Sequence, residues 1–383
     1  MNSSSPVLQT QTGTLNVRKA RVMVVDDSVV IRGIVSRWLN QEPDIEVVAS
    51  HRHGRLAVDD IAKSRPDVVV LDIEMPEMDG IEALPLLLKN YPGVKILMSS
   101  TLTKRNATIS LKALQLGASD YIPKPDNNSG VTTSSEFRED LVAKVKALGG
   151  VDVSGRRLQS NTESTGVGAV SRQPLKAGDG PIVLKPFSRT APKILAIGSS
   201  TGGPPALFEF FKELTPALSN IPVVITQHMP ATFTAILAEH ISRITKRVCK
   251  EAEDGEKLLP GVIYVAPGGK HLILVDRGGP TVKLSDGPRV NFCKPAVDPM
   301  FDSIAEVYGA HVLGVIFTGM GADGASGSIT VSKAGGSIIA QDKETSVVWG
   351  MPGATAHTGI CSAVIPLNEM ATKVMKILSG RLV

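Results

Sequence analysis

The sequence predicts an α/β protein made of two doubly wound parallel-sheet domains joined by a linker. Its length of 383 residues fits two or three domains. Short β-rich runs alternate with helical patterns in both halves of the chain, which is typical of parallel sheets covered by helices. A Gly-, Ser- and Thr-rich segment between the halves keeps neither a helical nor a strand period, so it predicts a linker.

The N-terminal half contains five β-rich runs, at residues 21–25, 46–49, 68–71, 95–98 and 120–122. Helical patterns lie between them, for example at 28–39 and 107–116. Five strands with helical crossovers imply a flavodoxin-like parallel sheet. We therefore assign residues 20–148 to the first domain and residues 1–19 to a disordered tail.

The C-terminal half has six β-rich runs, at residues 193–197, 222–226, 262–265, 271–275, 312–317 and 337–340. Helical stretches follow the first, second and fifth runs, which predicts a second, Rossmann-like sheet. We expect a hairpin around Gly268 and Gly269. The resulting boundaries are a linker at residues 149–192 and a second domain at 193–383.

Composition and charge exclude several classes of protein. Hydrophobic residues make up 42% of the chain and charged residues 20%, which excludes a wholly disordered protein. Residues 193–383 carry 17 basic and 16 acidic side chains, so nucleic acid is not an expected partner. No run approaches the ~18 apolar residues of a membrane span, and residues 1–20 lack a signal-peptide pattern. Three widely separated cysteines fit a reducing compartment, so we expect a cytoplasmic protein without membrane insertion.

Acidic side chains follow the first and third predicted strands. Asp26 and Asp27 end the first strand and Asp72 ends the third. The carboxyl ends of parallel strands line one crevice, so these carboxylates should meet there, together with Ser100 and Lys124 from the fourth and fifth strands. Such oxygen ligands suit Mg²⁺, and a carboxylate can attack phosphorus to form an aspartyl phosphate. Each acid alone could instead be a helix cap or turn residue, but their combined placement favours a site.

The stretches VMVVDDS, VVVLDIEMPEMDG, LMSS and DYIPKP closely resemble a two-component receiver domain, over about residues 20–148. The resemblance implies that Asp72 accepts a phosphoryl group from a histidine kinase. It implies that Asp26, Asp27 and Asp72 hold Mg²⁺ together with the carbonyl of Glu74. It further implies that Ser100 is the switch hydroxyl and Lys124 the phosphate-binding lysine, which together convert phosphorylation into a conformational change.

The first strand of the second domain leads into Gly198-Ser199-Ser200-Thr201-Gly202, which fits the G-x-S-x-G pattern of a nucleophile elbow. Small residues allow a sharp turn that exposes the Ser200 hydroxyl, and the following helix offers backbone N–H groups to an oxyanion. Glycine-rich turns of this kind also bind phosphate or simply pack closely. The pattern alone therefore leaves the role of Ser200 open.

Among seven histidines, His228 closes an apolar run and precedes a Met-Pro break. This places it at the carboxyl end of a strand, on the same edge of the sheet as Ser200. It is the candidate base, although a histidine there could also be a hydrogen-bonded core residue. Asp323 is the acid in the loop after residues 312–317, and it could orient His228 or cap the next helix. His51 and His53 have no third ligand nearby, so we expect them to be solvated.

Residues 319–324 also satisfy G-x-G-x-x-G, and Asp342 ends the following strand at the spacing of a dinucleotide-binding fingerprint. An NAD-linked oxidoreductase is therefore an alternative. Against it, the unit lies near the end of the chain and leaves Ser200 and His228 without a role. A DNA-binding output and a non-catalytic scaffold are two further alternatives, but no basic recognition helix is evident in the second half.

The second half resembles the catalytic domain of the CheB family of chemotaxis protein-glutamate methylesterases. The matching stretches are ILAIGSSTGGP, VVITQHMP, VIYVAPGGKHL, the run at 298–302 and VIFTGMGADG. The resemblance implies that Ser200 is the nucleophile, His228 the base and Asp323 its partner. It makes Thr201 and the backbone N–H of Met320 candidates for binding the oxyanion or supporting the triad.

The same resemblance implies a phosphorylation-activated serine hydrolase that serves adaptation in chemotaxis. Its substrates would be glutamate γ-methyl esters on chemoreceptors, with deamidation of some receptor glutamines as a second reaction. A histidine kinase would be the phosphodonor, Mg²⁺ would bind in the receiver domain, and the esterase domain would need no cofactor. Ser199 stands where the family usually has Ala, so two adjacent serines are available, and the elbow geometry favours Ser200.

Overall fold

The computed structural model describes residues 18–101, 103–125, 134–151, 180–214, 218 and 220–380. The tail predicted at residues 1–19 lies almost entirely outside the described residues, and so do residues 152–179 of the predicted linker. Two parallel sheets with helices dominate the described residues, together with one antiparallel two-stranded sheet, which confirms the predicted doubly wound α/β fold.

The first sheet has five parallel strands in the order β2-β1-β3-β4-β5. These strands are β1 (Ala20–Val25), β2 (Ile45–His51), β3 (Val68–Asp72), β4 (Lys95–Thr101) and β5 (Asp120–Lys124). The described helices around them are α1 (Val29–Asn40), α2 (Gly54–Ser64), α3 (Gly80–Asn90), α4 (Lys104–Gln115) and α5 (Ser135–Leu148). Chain order reverses between β1 and β3, which opens a crevice at their carboxyl ends.

The helices of this half follow from apolar spacing and capping. In α1, the buried residues Ile31, Val35, Trp38 and Leu39 share one face at helical spacing. Ser28 begins this helix, because its side-chain oxygen accepts a hydrogen bond from the Ile31 N–H. Strand β3 is buried along its whole length, as expected for a strand covered on both faces of a parallel sheet.

The second sheet has seven parallel strands in the order β14-β13-β12-β6-β7-β9-β8. They are β6 (Ile194–Ser199), β7 (Val223–Gln227), β8 (Cys249–Glu251), β9 (Ile263–Val265), β12 (Val312–Ile316), β13 (Ser337–Gln341) and β14 (Ala363–Ile365). Its helices are α6 (Gly203–Leu214), α7 (Ala231–Thr245), α8 (Val297–Tyr308), α9 (Ala325–Lys333), α10 (Met351–Ala356) and α11 (Leu367–Leu378), with a 3₁₀ turn at Gly309–His311. Strands β6 and β12 are neighbours although they are far apart in sequence, so the switch point of this sheet lies between them.

The hairpin predicted around Gly268 and Gly269 is wrong. The antiparallel hairpin consists of β10 (His271–Asp276) and β11 (Pro280–Ser285), and it turns at residues 277–279. Gly268 lies in the connection between β9 and β10, where its backbone is packed so closely against Pro230 and Ala231 that a Cβ would clash. Close packing, not hairpin reversal, explains this glycine.

The two halves contact each other through β5 and α4 of the first and α7 of the second. The ring of Tyr121 stacks on the ring of Phe233, with centroids 4.1 Å apart and an interplanar angle of 13°. Gln115 in α4 forms a hydrogen bond with His240 in α7. Among the described helices, none is both long enough and apolar enough to cross a lipid bilayer.

Candidate functional site

The acidic cluster predicted in the first half is assembled at the switch point of its sheet. Each of Asp26, Asp27 and Asp72 offers a carboxylate oxygen, and these oxygens all lie within 4.8 Å of one another. Asp26 follows β1 and Asp72 is the last residue of β3, so the strand order brings them together. Three hard oxygen donors at this spacing fit a divalent cation such as Mg²⁺.

Lys124 holds two of these acids. Its Nζ lies 2.7 Å from Asp26 Oδ2 and 2.8 Å from Asp72 Oδ1, and all three side chains are buried. Burial raises the pKa of Asp72, the Lys124 charge lowers it and the Asp26 charge raises it again, with a net pKa of about 6. Burial lowers the pKa of Lys124, but the two acids raise it overall, so Lys124 carries a positive charge.

Two adjacent serines of β4, Ser99 and Ser100, lie beside the end of β3. Ser99 is the register partner of Asp72. Ser100 is buried and its hydroxyl lies 3.1 Å from that of Ser110 in α4. Ser100 stays the predicted switch hydroxyl, and Ser99 is a second hydroxyl on the same strand.

Two other predicted residues of this site are solvent-accessible. Asp27 is exposed and does not cap α1, because Ser28 does so; the cap alternative for Asp27 is wrong. Glu74 is also exposed, two residues after Asp72, and within the described part of the chain its carbonyl accepts no hydrogen bond. Both are therefore available to a cation.

Ser200 lies at the sharp turn between β6 and α6. Its N–H donates to Thr318 O (3.1 Å), and its carbonyl accepts from the Gly203 N–H (2.7 Å). Gly202 has a φ of +76°, a conformation that side chains disfavour. The turn leaves Ser200 half-buried, whereas Ser199 is fully buried and donates its hydroxyl to Gln227 Oε1 at 2.7 Å. Of the two adjacent serines, Ser200 is the one that a substrate can reach.

His228 follows β7 and contacts Asp323 from the loop after β12. His228 Nε2 lies 2.8 Å from Asp323 Oδ2, and the two side chains are 11% and 2% exposed. Asp323 also accepts hydrogen bonds from the Val297 N–H (2.5 Å) and the Asp298 N–H (3.1 Å) at the start of α8. The alternative that Asp323 caps the helix near Ala325 is wrong, since that helix has no side-chain cap.

The charges of this pair stabilise each other. Burial works against ionisation of Asp323, but the hydrogen bond and the charge of His228 hold its pKa below the usual value. Burial also lowers the pKa of His228. The negative charges and hydrogen bonds of Cys293 and Asp323 outweigh this and raise the pKa of His228 from 6.5 to about 10. In this arrangement, therefore, the imidazole is protonated at neutral pH.

Ser200 and His228 are close but not hydrogen-bonded to each other. Gln227 Nε2 donates to Ser200 O (2.9 Å) and to His228 O (3.3 Å), so one amide ties the two backbones together. Between described residues there is no hydrogen bond from the Ser200 hydroxyl to the imidazole. The second ring nitrogen, Nδ1, instead lies 3.3 Å from Cys293 Sγ.

Thr201 and Met320 lie beside Ser200. The Thr201 carbonyl accepts a hydrogen bond from the Thr318 hydroxyl at 2.9 Å. A Cβ on Gly319 would lie 2.7 Å from the Cβ of Ser200, so the loop that carries Met320 packs directly on the serine. In the described ranges, the backbone N–H groups of Thr201 and Met320 have no acceptor. Both can donate to an oxyanion.

The comparisons agree in both halves of the chain. A family model described as CheB methylesterase matches residues 195–374, and one described as response regulator receiver domain matches residues 22–134. A protein-glutamate methylesterase/protein-glutamine glutaminase of Rhodopseudomonas palustris (strain BisB5) is 52% identical over 366 residues, covering 94% of each chain. The chain belongs to the CheB methylesterase family. A relative from Nitrobacter hamburgensis with the same name is 51% identical over 361 residues, again covering 94% of each chain.

A solved structure is also similar to the second half of this CheB family member. It is the crystal structure of the Thermotoga maritima CheB methylesterase catalytic domain, which is 41% identical. The alignment covers 49% of this chain and 100% of that domain, with a TM-score of 0.47.

In this CheB family member, the glycine-rich stretch at 319–324 packs against Ser200 and Met351. Gly319 contacts Ser200 and Met351 so closely that it has no room for a Cβ. Asp342, the acid at the spacing of the dinucleotide-binding fingerprint, accepts hydrogen bonds from the N–H and hydroxyl of Thr345 at 3.0 and 2.6 Å. These contacts disfavour the dinucleotide alternative.

Three residues at this site were missed by the sequence analysis: Gln227, Asn291 and Cys293. Gln227 adjoins His228 in the stretch VVITQHMP, so a polar residue at a buried strand end was an available signal. Asn291 donates to Asp323 Oδ1 (2.8 Å) from a loop with no strand or helix pattern. Cys293 belongs to the same loop, and nothing in the local sequence connects it to His228.

Proposed function

We propose that this protein is a phosphorylation-regulated serine hydrolase that removes methyl groups from glutamate γ-methyl esters on chemoreceptors. The observation that carries the proposal is the convergence of Ser200, His228 and Asp323 at the carboxyl ends of the adjacent strands β6, β7 and β12. A hydroxyl, an imidazole and a buried carboxylate at one switch point form the set of groups that acyl transfer requires.

In the first step, Ser200 Oγ attacks the ester carbonyl carbon and His228 takes the hydroxyl proton. The tetrahedral oxyanion accepts hydrogen bonds from the free N–H groups of Thr201 and Met320. Methanol leaves with the proton from His228 as the acyl-enzyme forms. Water then attacks the acyl-enzyme with His228 as base again, which releases the glutamate carboxylate and restores Ser200.

His228 Nε2 is held by Asp323, so Nδ1 is the nitrogen that receives the serine proton. Asp323 fixes this tautomer and stabilises the imidazolium that forms. Val297 and Asp298 donate their backbone N–H groups to Asp323, which keeps it ionised and in place. Gln227 supports the same geometry because it binds the carbonyls of Ser200 and His228.

Deamidation of receptor glutamine follows the same path with ammonia as the leaving group. The curated relatives carry both activities in their names, protein-glutamate methylesterase and protein-glutamine glutaminase. An amide has a worse leaving group than a methyl ester, so we expect deamidation to be slower than demethylation. We further propose a cytoplasmic location, because three free cysteines suit a reducing compartment.

The receiver half supplies the regulation. An Asp72 carboxylate oxygen attacks the phosphorus of a kinase phosphohistidine, so that a P–O bond forms and the P–N bond breaks. Asp26, Asp27 and Asp72, with the carbonyl of Glu74, would hold Mg²⁺, which neutralises charge on the phosphoryl oxygens when bound. Lys124 can pair with the same oxygens, since it already contacts Asp72.

The contact between the halves supports regulation by the receiver. Tyr121 in β5 stacks on Phe233 in α7, and Glu136 in α5 pairs with Arg289 at 3.3 Å, four residues before Cys293. Phosphorylation of Asp72 would weaken this contact and expose the serine to the receptor. Moving the equilibrium from 1:99 to 99:1 requires about 5.5 kcal/mol of differential stabilisation.

The test is methanol release from methylated receptors with matched serine variants. Ser200→Ala should lower kcat by about 10⁴-fold or more, because the nucleophile is lost. Ser199→Ala is the control, since Ser199 is buried against Gln227, and it should cost less than about tenfold. Equal effects of the two substitutions would remove Ser200 from the mechanism.

A further inference from the structure

The imidazole of His228 has a thiol on the side opposite its acid. Cys293 Sγ lies 3.3 Å from Nδ1, while Asp323 Oδ2 lies 2.8 Å from Nε2. Both ring nitrogens are thus engaged, and within the described residues Ser200 has no part in either contact. The nitrogen that must receive the serine proton is the one that faces Cys293.

A tight turn places the Cys293 thiol beside His228. Val290 and Cys293 exchange backbone hydrogen bonds of 3.0 and 2.9 Å, and the two residues between them have positive φ angles of 51° and 65°. That combination is a type I′ turn, which asparagine tolerates at its first central position. The Asn291 side chain donates to Asp323 Oδ1 and to Asp298 Oδ2, each at 2.8 Å. The turn is therefore tied to the acid that orients His228.

Charged side chains face Cys293 from two elements. His228 faces it from the end of β7, and Lys144 approaches from α5 of the receiver. Burial lowers the pKa of Lys144, but Asp120 and Asp140 outweigh this, and Cys293 adds to the raised pKa. The acids beside the turn are engaged elsewhere, since Asp323 pairs with His228 and Asp298 accepts a hydrogen bond from Asn291.

We propose that Cys293 is a positioning residue: as a thiolate paired with the His228 imidazolium, it holds the base in a resting state. The Ser200 hydroxyl must displace this thiolate from Nδ1 before catalysis begins. An imidazolium cannot accept the serine proton, so the pair also sets the pH at which the base becomes available. The proposal rests on the function proposed above, in which His228 serves Ser200.

A thiolate at this position should react selectively with iodoacetamide. The sulfur attacks the methylene carbon, a C–S bond forms, the C–I bond breaks and iodide leaves, so no oxidant is needed. Cys293 is half-buried, whereas Cys249 and Cys361 are buried. Burial raises the pKa of Cys361 to about 12 and that of Cys249 further, so both serve as internal controls in the same molecule.

The first experiment measures alkylation of each cysteine by mass spectrometry from about pH 5 to 9. We expect Cys293 to react at neutral pH at least about tenfold faster in the wild type than in His228→Gln, because the imidazolium stabilises the thiolate. Ser200→Ala should keep the fast reaction although it lacks esterase activity. A rate of Cys293 alkylation that His228→Gln leaves unchanged would overturn the proposal.

The second experiment measures kcat/KM for methanol release against pH. Cys293→Ser should move the acid limb of the profile down by at least about one pH unit, because the base loses its anionic partner. A purely structural role of Cys293 would lower the rate at every pH and leave the limb in place, and that result would overturn the proposal. Failure of the proposed function appears separately, as activity that survives in Ser200→Ala.

Discussion

The Asp72 cluster and the Ser200 site both lie where neighbouring parallel strands end, and they differ in what contacts the proposed nucleophile. Asp72 is paired directly with a buried ammonium, Lys124 Nζ, at 2.8 Å. Ser200 is not bonded, among the described residues, to His228, its proposed base. The proposed reacting groups of the receiver site are thus in contact, whereas His228 in the esterase site is engaged by Asp323 and Cys293.

This difference suits the two reactions. A carboxylate is already a nucleophile and needs charge balance, which Lys124 provides. A serine hydroxyl needs a base, so control over the position of His228 is control over the reaction. We therefore expect substitutions that remove a charge to act strongly in the receiver half. In the esterase half, we expect substitutions that change the tautomer of His228 to act strongly.

The largest expected effect is that of Asp323→Asn. The amide keeps the shape of the carboxylate but presents an N–H group or a neutral oxygen to His228 Nε2. We expect kcat for methanol release to fall about 10⁴-fold, because the wrong tautomer is held and the imidazolium is not stabilised.

Asp298→Asn is the matched control, since Asp298 also contacts Asn291 but not His228. Its side chain accepts the Gly327 N–H at 2.7 Å, so the substitution should lower stability more than kcat. Comparable losses of kcat in both variants would contradict the tautomer argument.

In the receiver, Lys124→Gln should remove most of the activity gained on phosphorylation, about tenfold or more. The substitution leaves Asp26 and Asp72 without their ammonium partner and removes the cation that faces the phosphoryl oxygens. Phosphoryl incorporation and stimulated methanol release are the two measurements.

Lys146→Gln controls for the loss of a lysine that bridges two acids. Lys146 contacts Glu42 and Asp44 at 2.8 and 2.9 Å, away from Asp72. It should leave phosphorylation and stimulation near the wild-type level. If Lys124→Gln behaved in the same way, Asp72 would not be the regulated group.

A smaller effect distinguishes the two serines of β4. Ser100→Ala should slow the response to phosphorylation by about tenfold, because Ser100 is the proposed switch hydroxyl. It should also lower the free energy of unfolding by about 1–3 kcal/mol, since it leaves the Ser110 hydroxyl buried without its partner. Urea denaturation and stimulated esterase rates measure the two outcomes. Ser99→Ala is the control, and a slower response in Ser99→Ala alone would contradict the assignment of Ser100.

The residues that the sequence could predict are those that follow buried strands. Asp72, Ser200 and His228 each come after an apolar run, and parallel strands bring their ends to one edge without further information. Asp323 could be predicted for the same reason, because β12, which precedes its loop, pairs with β6.

The residues that the sequence could not predict depend on register or on loops. The separate roles of Ser99 and Ser100 depend on register, because a shift of one position reverses the face of a strand. His53 was expected to be solvated but is 2% exposed, because its ring caps α2 and contacts Glu77 at 3.1 Å. Cys293 contacts His228 from a turn that lies 65 residues further along the chain. No local sequence pattern predicts this contact.

The last prediction concerns stability against pH, where buried acids and the His228 imidazole should give two separate windows. Asp72 has its pKa raised from 3.8 to about 6, chiefly by burial, and His228 from 6.5 to about 10 against burial. In both cases the folded protein binds the proton more tightly than the unfolded chain. Burial and the Asp323 charge raise the pKa of Asp298 to about 6 as well. Stability should therefore fall as pH rises through about 4 to 6 because of Asp72 and Asp298, and again through about 6.5 to 10 because of His228.

Urea denaturation of the full chain across this range, without added metal, measures both windows. Asp72→Asn should reduce the acidic window to the part that Asp298 contributes and leave the alkaline window in place. His228→Gln should remove the alkaline window. The His228 contribution is fully present below its unfolded pKa of 6.5 and is lost by about pH 10, on the order of a few kcal/mol. An alkaline window that persists in His228→Gln would mean that the imidazolium is not held between Asp323 and Cys293. The esterase site would then lose the resting ion pair that distinguishes it from the receiver site.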